Sequence, residues 1–171
     1  MTELLARMIK RSRWEEPRDK LDCDGVPADC ITDLKTTGNT LSLWKAGSKE
    51  AVDLTAAVVA IAGTRTRLDP LELAWVEEDQ IKKEKLPTAA TPGRTPAEAH
   101  RTLHVDLVRL DHARLAKFAS ILSAALANEW HVKLTREQVR NYLVTAISKG
   151  TVPLAELPKA LRDEVSSNTK E

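Results

Sequence analysis

The fold is decided by residues 40–76, which read TLSLWKAGSKEAVDLTAAVVAIAGTRTRLDPLELAWV. Thr40 to Lys45 alternates in a way that is typical of a strand, and residues 71–76 form a second apolar strand segment. Between them, Ser48 can cap a helix that ends at Gly63 and is apolar around most of its circumference. A strand, a helix and a strand within about forty residues have the size of a crossover between parallel strands. The sequence therefore predicts an α/β (or α+β) fold with a small, mostly parallel sheet built on a βαβ unit.

The flanking regions predict the domain organisation. Before the unit, Thr2 can cap a short helix whose apolar stripe is Leu4, Leu5, Met8 and Ile9, and a second short helix would bury Cys30, Ile31 and Leu34. After it, residues 86–96 contain three prolines and one glycine, which is typical of a linker or long loop. We therefore predict a small α/β domain at 1–86, a proline-rich linker or loop at 87–96, and a strand plus helical segment at 97–171 that can pack on the first domain.

The segment 97–110 allows two interpretations. Pro96 and Glu98 look like the start of a helix, whereas residues 103–109 alternate between apolar and polar side chains as a strand does. We favour a helical turn at 96–101, a strand at 103–109 and a helix after Asp111. Beyond it we predict a helix that begins with a capping box at Thr135 and Gln138 and ends at Gly150, and a last helix at 153–165 interrupted or restarted at Pro158.

Composition indicates an ordinary globular chain. Its 171 residues are 42% hydrophobic and 30% charged, with a net charge of +1. So small a net charge argues against bulk nucleic acid or an anionic membrane as the main partner. No signal peptide is visible at the start, and no run approaches the roughly eighteen apolar residues of a membrane span. With two cysteines, Cys23 and Cys30, we expect a cytoplasmic protein whose thiols are reduced, unbridged and metal-free.

One short motif carries a family resemblance. Residues 22–26, Asp-Cys-Asp-Gly-Val, resemble the Asp-x-Asp-Gly-Val/Thr signature of the haloacid dehalogenase phosphohydrolases. The resemblance implies that Asp22 is a nucleophile and Asp24 an acid/base, both beside Mg²⁺. In that family the motif follows a buried apolar strand, whereas residues 17–21 read PRDKL here. We therefore expect neither aspartate to be catalytic.

Two further patterns could serve a metal site. His100 and His104 have the i, i+4 spacing of helical ligands, but that argument disappears if residues 103–109 form a strand. Cys23 and Cys30 are separated by six residues. Paired ligands in structural zinc sites are usually separated by only about two to four residues. Asp33-Leu34-Lys35 has the Asp-x-Lys half of a metal-dependent nuclease site, without a second acid that can be placed beside it. We predict no metal, no cofactor and no catalytic residue.

Basic residues near the N-terminus support nucleic-acid binding as an alternative function. The predicted nucleic-acid-binding residues are Arg7, Lys10, Arg11 and Arg13. Clustered cations bind phosphates with release of counterions, and Trp14 beside them could stack on a base. Glu15 and Glu16, which follow directly, favour a solvated helix face instead. A metal-dependent phosphohydrolase or nuclease is the third alternative.

The leading functional prediction is a non-catalytic protein-interaction protein. It would be an accessory subunit, an adaptor, or an immunity- or antitoxin-like inhibitor of a bacterial system, within an oligomer or complex. The sequence has no glycine-rich phosphate loop, nucleophile elbow or cofactor fingerprint. We expect another protein as the partner, with nucleic acid as the alternative and no membrane. The predicted partner-binding residues are two tryptophans at helix ends and four apolar residues of the last two helices: Trp14, Trp130, Leu143, Ile147, Leu157 and Leu161.

Overall fold

Six strands form one sheet in the computed structural model, which describes residues 3–15, 26–46 and 51–167. The strands are β1 (Leu4–Ile9), β2 (Leu41–Lys45), β3 (Leu71–Glu77), β4 (Thr88–Ala90), β5 (His104–Leu107) and β6 (His131–Leu134). Their order across the sheet is β4-β5-β2-β1-β3-β6, and every neighbouring pair is antiparallel. The predicted helix caps Thr2 and Ser48 lie outside the described residues.

The described residues form five α-helices beside this sheet: α1 (Ala51–Ala62), α2 (Glu78–Lys83), α3 (His112–Ala127), α4 (Arg136–Ser148) and α5 (Lys159–Ser166). Short 3₁₀ segments occupy Arg11–Arg13, Ala28–Thr32, Glu98–Leu103 and Leu154–Glu156. Helices α1, α4 and α5 cover the face of the sheet that carries Leu4 and Ala6, which we call the front face. Helix α3 covers the opposite, back face, which carries Leu5 and Ile9. Side chains that alternate along a strand therefore belong to two separate cores.

The prediction of a mostly parallel sheet is wrong, although the expected direction of two strands is correct. Strands β2 and β3 run in the same direction, since both are antiparallel to β1, and α1 connects them as the crossover argument expects. However, β1 lies between them, so β2 and β3 share no hydrogen bonds. The unit is a split βαβ arrangement, and the strand that splits it comes from the N-terminus.

The N-terminal segment was predicted to be a helix because its apolar spacing fits a helical stripe. In the structure, residues 4–9 form β1, which pairs with β3 along all six residues. A central strand is covered on both faces and therefore needs apolar side chains on both sides. The run Leu4, Leu5, Ala6 supplies them, and the same run also resembles one side of a helix.

In the C-terminal half, the helix starts and the strand that the sequence predicts agree with the structure. Thr135 Oγ1 accepts from Gln138 N at 3.2 Å, and Gln138 Oε1 accepts from Thr135 N at 2.8 Å, so the predicted capping box of α4 is confirmed. Asp111 caps α3, with its Oδ1 accepting from Arg114 N at 2.8 Å. Residues 98–103 form a 3₁₀ helix and β5 follows, which confirms the interpretation favoured for 97–110.

Strands from both ends of the chain join the same sheet. β5 pairs with β2, and β6 pairs with β3, so residues beyond 97 extend the sheet on both sides. The proline-rich segment contains β4, which pairs with β5. Gly93 packs so closely on Trp44 that an added Cβ would lie 2.4 Å from the indole Cη2 atom, and only glycine fits there. In the described ranges, none of the helices combines the length and apolar character that a bilayer span requires.

Cys30 is buried as a free thiol on the 3₁₀ helix Ala28–Thr32. Leu34 is buried as expected, whereas Ile31, also expected on the buried side, is 55% exposed. Burial raises the pKa of the Cys30 thiol, and Asp33 and Asp29 raise it further because they disfavour a nearby thiolate. The thiolate is the reactive form, so this thiol should be inert in the native state.

We therefore expect slow alkylation of native Cys30. In a Cys23→Ser variant, Cys30 is the sole thiol, because the chain has two cysteines. Iodoacetamide at neutral pH should modify the native variant at least about tenfold more slowly than the urea-unfolded one. Mass spectrometry over time measures both rates, and equal rates would contradict the burial of the thiol.

Candidate functional site

The sheet opens between β1 and β2 at one end. These strands pair only at Leu5 with Lys45 and at Ala6 with Trp44. Beyond that point the Arg7 guanidinium bridges to other backbone groups, with Nη1 donating to Ser42 O at 2.9 Å and Nη2 donating to Asp33 O at 2.5 Å. Arg7 thus replaces strand-to-strand hydrogen bonds at the opening.

The Arg7 side chain is a cation held in a largely buried position. Burial lowers the pKa of Arg7 to about 10, while the nearby Asp33 opposes that shift. The guanidinium therefore remains protonated at neutral pH. Its Nε atom has no hydrogen-bond partner within the described part of the chain.

Asp33 organises the turn that follows β1. Its Oδ2 accepts from Lys10 N at 2.7 Å and from the Trp14 indole Nε1 at 2.9 Å, and its Oδ1 accepts from Arg13 Nη1 at 2.5 Å. The Asp33 side chain is only 6% exposed. The carboxylate that the Asp-x-Lys pattern offered for nuclease chemistry is therefore occupied by donors of the chain itself. Trp14, expected as an exposed anchor, is buried beside it.

A cavity of about 470 Å³ lies at this end of the sheet, and we call it the basic cavity. Six cationic side chains line it: Arg7, Lys10, Arg13, Lys35, Arg65 and Lys133. The lining carboxylates are Asp33 and Glu72. Glu72 is engaged as well, since it accepts from Arg11 N at 2.7 Å and lies 3.2 Å from Lys133 Nζ. The cavity therefore carries a clear excess of positive charge.

Two of these cations are available to a ligand. Lys10 and Lys35 are exposed, and neither makes an ion pair with any residue that the structure describes. By contrast, Arg13 is paired with Asp33, and Arg65 with Asp69 at 3.3 Å. Exposed lysines with no carboxylate partner attract anions without first breaking an ion pair.

A second cavity of about 670 Å³ shares Arg7 and Met8 with the first, and we call it the polar cavity. Strand register brings Ser42 opposite Asp106, and Trp44 opposite His104. Asp106 Oδ1 accepts from Ser42 Oγ at 3.1 Å, and its Oδ2 accepts from Thr91 Oγ1 at 2.7 Å. The polar cavity thus contains a carboxylate whose orientation is fixed by two hydroxyl groups.

The predicted nucleic-acid-binding residues are partly brought together. Arg7, Lys10 and Arg13 line the basic cavity, whereas Arg11 is paired with Glu15 at 2.6 Å and contacts the His131 ring. The expectation that they lie on a helix is wrong, because they belong to β1 and the 3₁₀ turn after it. The sequence did not place three further cations, from distant parts of the chain, beside them: Lys35, Arg65 and Lys133.

The predicted partner-binding residues lie mostly inside this chain. Leu143, Leu157 and Leu161 are buried in the front-face core, and Ile147 and Trp130 are partly buried against it. The large apolar side chains exposed among the described residues are Met8, Ile31 and Leu154, each on a different element. Binding of a protein partner stays a prediction. The described residues form no continuous exposed apolar surface that would support it.

The two patterns considered for a metal site are not supported by a cluster of ligand side chains among the described residues either. Within residues 3–15, 26–46 and 51–167, no three His, Cys, Asp or Glu side chains are placed to hold an ion together. His104 lies in β5, and His100 in the 3₁₀ segment before it, so the helical i, i+4 argument does not apply. Asp22, Cys23 and Asp24 lie outside the described residues. Comparison with models of protein families, with curated proteins and with solved structures finds nothing that matches this chain.

Proposed function

We propose that this chain is a non-catalytic protein that binds single-stranded nucleic acid through its phosphate backbone. The observation that carries the proposal is the charge of the basic cavity, where six cations meet two carboxylates that protein groups already engage. Cationic side chains around a groove bind phosphates and release counterions, without requiring any base contact.

The net charge of +1 is compatible with this proposal. A net charge describes the whole chain, whereas affinity for a backbone depends on the local excess at the contact surface. Basic side chains from β1, the following turn, β6 and the loop before β3 converge on one cavity. The rest of the chain then carries a net negative charge, while this end of the sheet attracts anions.

The extent of the two cavities favours a polymer over a single nucleotide. Their lining residues come from β6, β3, β1, β2 and β5, and neighbouring strands are about 4.8 Å apart, which gives roughly 20 Å across the sheet. Because the cavities share Arg7 and Met8, they are adjacent, and we expect one extended strand to contact both. A segment of several nucleotides has this reach.

The test is the salt dependence of binding to a labelled oligouridylate of about twelve nucleotides, measured by fluorescence anisotropy. We expect tighter binding at low salt, with a slope of about −0.7 in log K against log salt for each phosphate contact. Lys10→Gln and Lys35→Gln should each weaken binding and reduce the magnitude of the slope by about 0.7. Lys149→Gln removes the same charge from the exposed end of α4, outside both cavities, and should change neither quantity.

Four results would contradict the proposal. The first is no binding even at low salt, and the second is an equal loss in the Lys149→Gln control. The third is binding of polyglutamate as tightly as of the oligonucleotide, which would assign the basic cavity to an acidic protein partner. An oligonucleotide that binds no better than uridine monophosphate would contradict the polymer as ligand.

A further inference from the structure

We infer that the polar cavity accepts a hydrogen bond from a ribose 2′-hydroxyl through Asp106, so that the protein selects RNA over DNA. This inference rests on the proposed function, because it concerns the sugar of the same bound strand. The observation behind it is a carboxylate placed inside an otherwise cation-flanked groove.

Asp106 keeps hydrogen-bonding capacity after its protein contacts are counted. An ionised carboxylate has about four acceptor sites, and the hydroxyls of Ser42 and Thr91 occupy two of them. The His104 Nε2 atom is 3.8 Å from Asp106 Oδ1, too far for a hydrogen bond. The side chain is 15% exposed and lines the polar cavity, so its free acceptor sites can face a ligand.

The position of Asp106 is also rigid. Its strand β5 pairs with β2 on one side and with β4 on the other, with Asp106 opposite Ser42 and Ala89. A site held by strands on both sides presents its acceptor in one place, which is what discrimination by a single hydrogen bond requires.

The chemistry of the cavity selects the group that faces Asp106. A phosphate would be repelled by the carboxylate, whereas Arg7 and Arg94 on the same cavity attract it. The group at Asp106 must therefore be a neutral donor that lies between phosphates along a strand. A ribose 2′-hydroxyl meets both conditions, and carboxylates bind this hydroxyl in dinucleotide-binding folds. Deoxyribose has no hydroxyl group at this position. A DNA strand would therefore desolvate the Asp106 carboxylate without donating a hydrogen bond to it.

The experiment compares three labelled strands of equal length and base: oligouridylate, oligodeoxyuridylate, and oligouridylate with 2′-O-methyl groups. The methylated strand keeps the 2′ oxygen but cannot donate a hydrogen bond. We expect the ribose strand to bind at least about tenfold more tightly than either other strand, as a hydrogen bond to a charged group predicts. In Asp106→Ala, which leaves no side-chain acceptor at this position, the ratio of ribose to deoxyribose affinity should fall towards one, whatever happens to the absolute affinities.

Asp163→Ala is the matched control, because it makes the same change at an exposed position of α5, outside both cavities. It should keep the wild-type ratio, and thermal unfolding verifies that both variants are folded. Equal binding of the three strands by the wild-type protein would overturn this inference and leave the proposed function standing. Binding of none of them would overturn the proposed function itself. A ratio that Asp106→Ala leaves unchanged would assign the selectivity to another group and overturn the role of Asp106.

Discussion

Replacing Leu143 with aspartate should unfold the protein. The Leu143 side chain is 0% exposed and packs in the front-face core between α4, α1 and the sheet. Removing it to alanine would cost about 2–5 kcal/mol, and a buried, unpaired carboxylate costs several kcal/mol more. The total is comparable with the whole stability of a domain, about 5–15 kcal/mol.

The measurement is urea-induced unfolding followed by far-ultraviolet circular dichroism. We expect Leu143→Asp to show no cooperative transition, and Leu143→Ala to show one at clearly lower urea. Asn141→Asp is the matched control, because it adds the same charge to an exposed position of α4, where the change should be within about 0.5 kcal/mol. If Leu143→Asp unfolded like the wild type, α4 would not be packed on the sheet, and its apolar side would be free for a partner.

The elements that sequence patterns predicted correctly are those specified locally. Strands β2 and β3, the crossover helix α1 and the capped helices α3 and α4 were all predicted close to where they lie. In each, a periodic run of apolar residues is bounded by a turn or a cap, and the caps at Asp111 and Thr135 are made within three residues. Such signals need no knowledge of distant residues.

The errors arose where distant segments decide the structure. Nothing in residues 40–76 indicates that an N-terminal strand will lie between β2 and β3, so the direction of those strands was right and their adjacency was wrong. Strand β6 was missed because it has four residues, of which only Leu134 is buried. An edge strand has one pairing neighbour and little periodicity to detect.

The residues of the candidate site also fall into two groups: those that local sequence identified, and those that only the fold brings together. Arg7, Lys10 and Arg13 were found because they are close in sequence, whereas Lys133 reaches the cavity only because β6 pairs with β3. The polar cavity was not anticipated, since Ser42 and Asp106 are 64 residues apart and meet through the β2–β5 register. Residue types alone could not have selected this pair among the many charged and hydroxyl side chains of the chain.

Replacing Asp33 with alanine should cost several kcal/mol of unfolding free energy, about 1–3 kcal/mol for each buried donor that is left without its acceptor. The change leaves the Trp14 indole N–H and the Lys10 backbone N–H without their acceptor, and leaves Arg13 without its carboxylate. Asp29→Ala is the matched control, because Asp29 is exposed on the 3₁₀ helix that directly precedes Asp33. Urea unfolding of both variants measures the difference, and equal losses would mean that Asp33 does not organise this turn.

Asp33→Asn separates the effect on stability from the effect on binding. We expect the free energy of unfolding to fall and the affinity for oligouridylate to rise. Asparagine keeps the shape and one acceptor oxygen, so the fold should survive with a smaller loss of stability than in Asp33→Ala. The same change removes one of the two carboxylates from the basic cavity and frees Arg13 from its ion pair. Oligouridylate should then bind more tightly and with a steeper salt slope, by about 0.7 for one added phosphate contact. A variant that is both less stable and weaker in binding would show that the cavity needs the shape Asp33 maintains more than it needs the added positive charge.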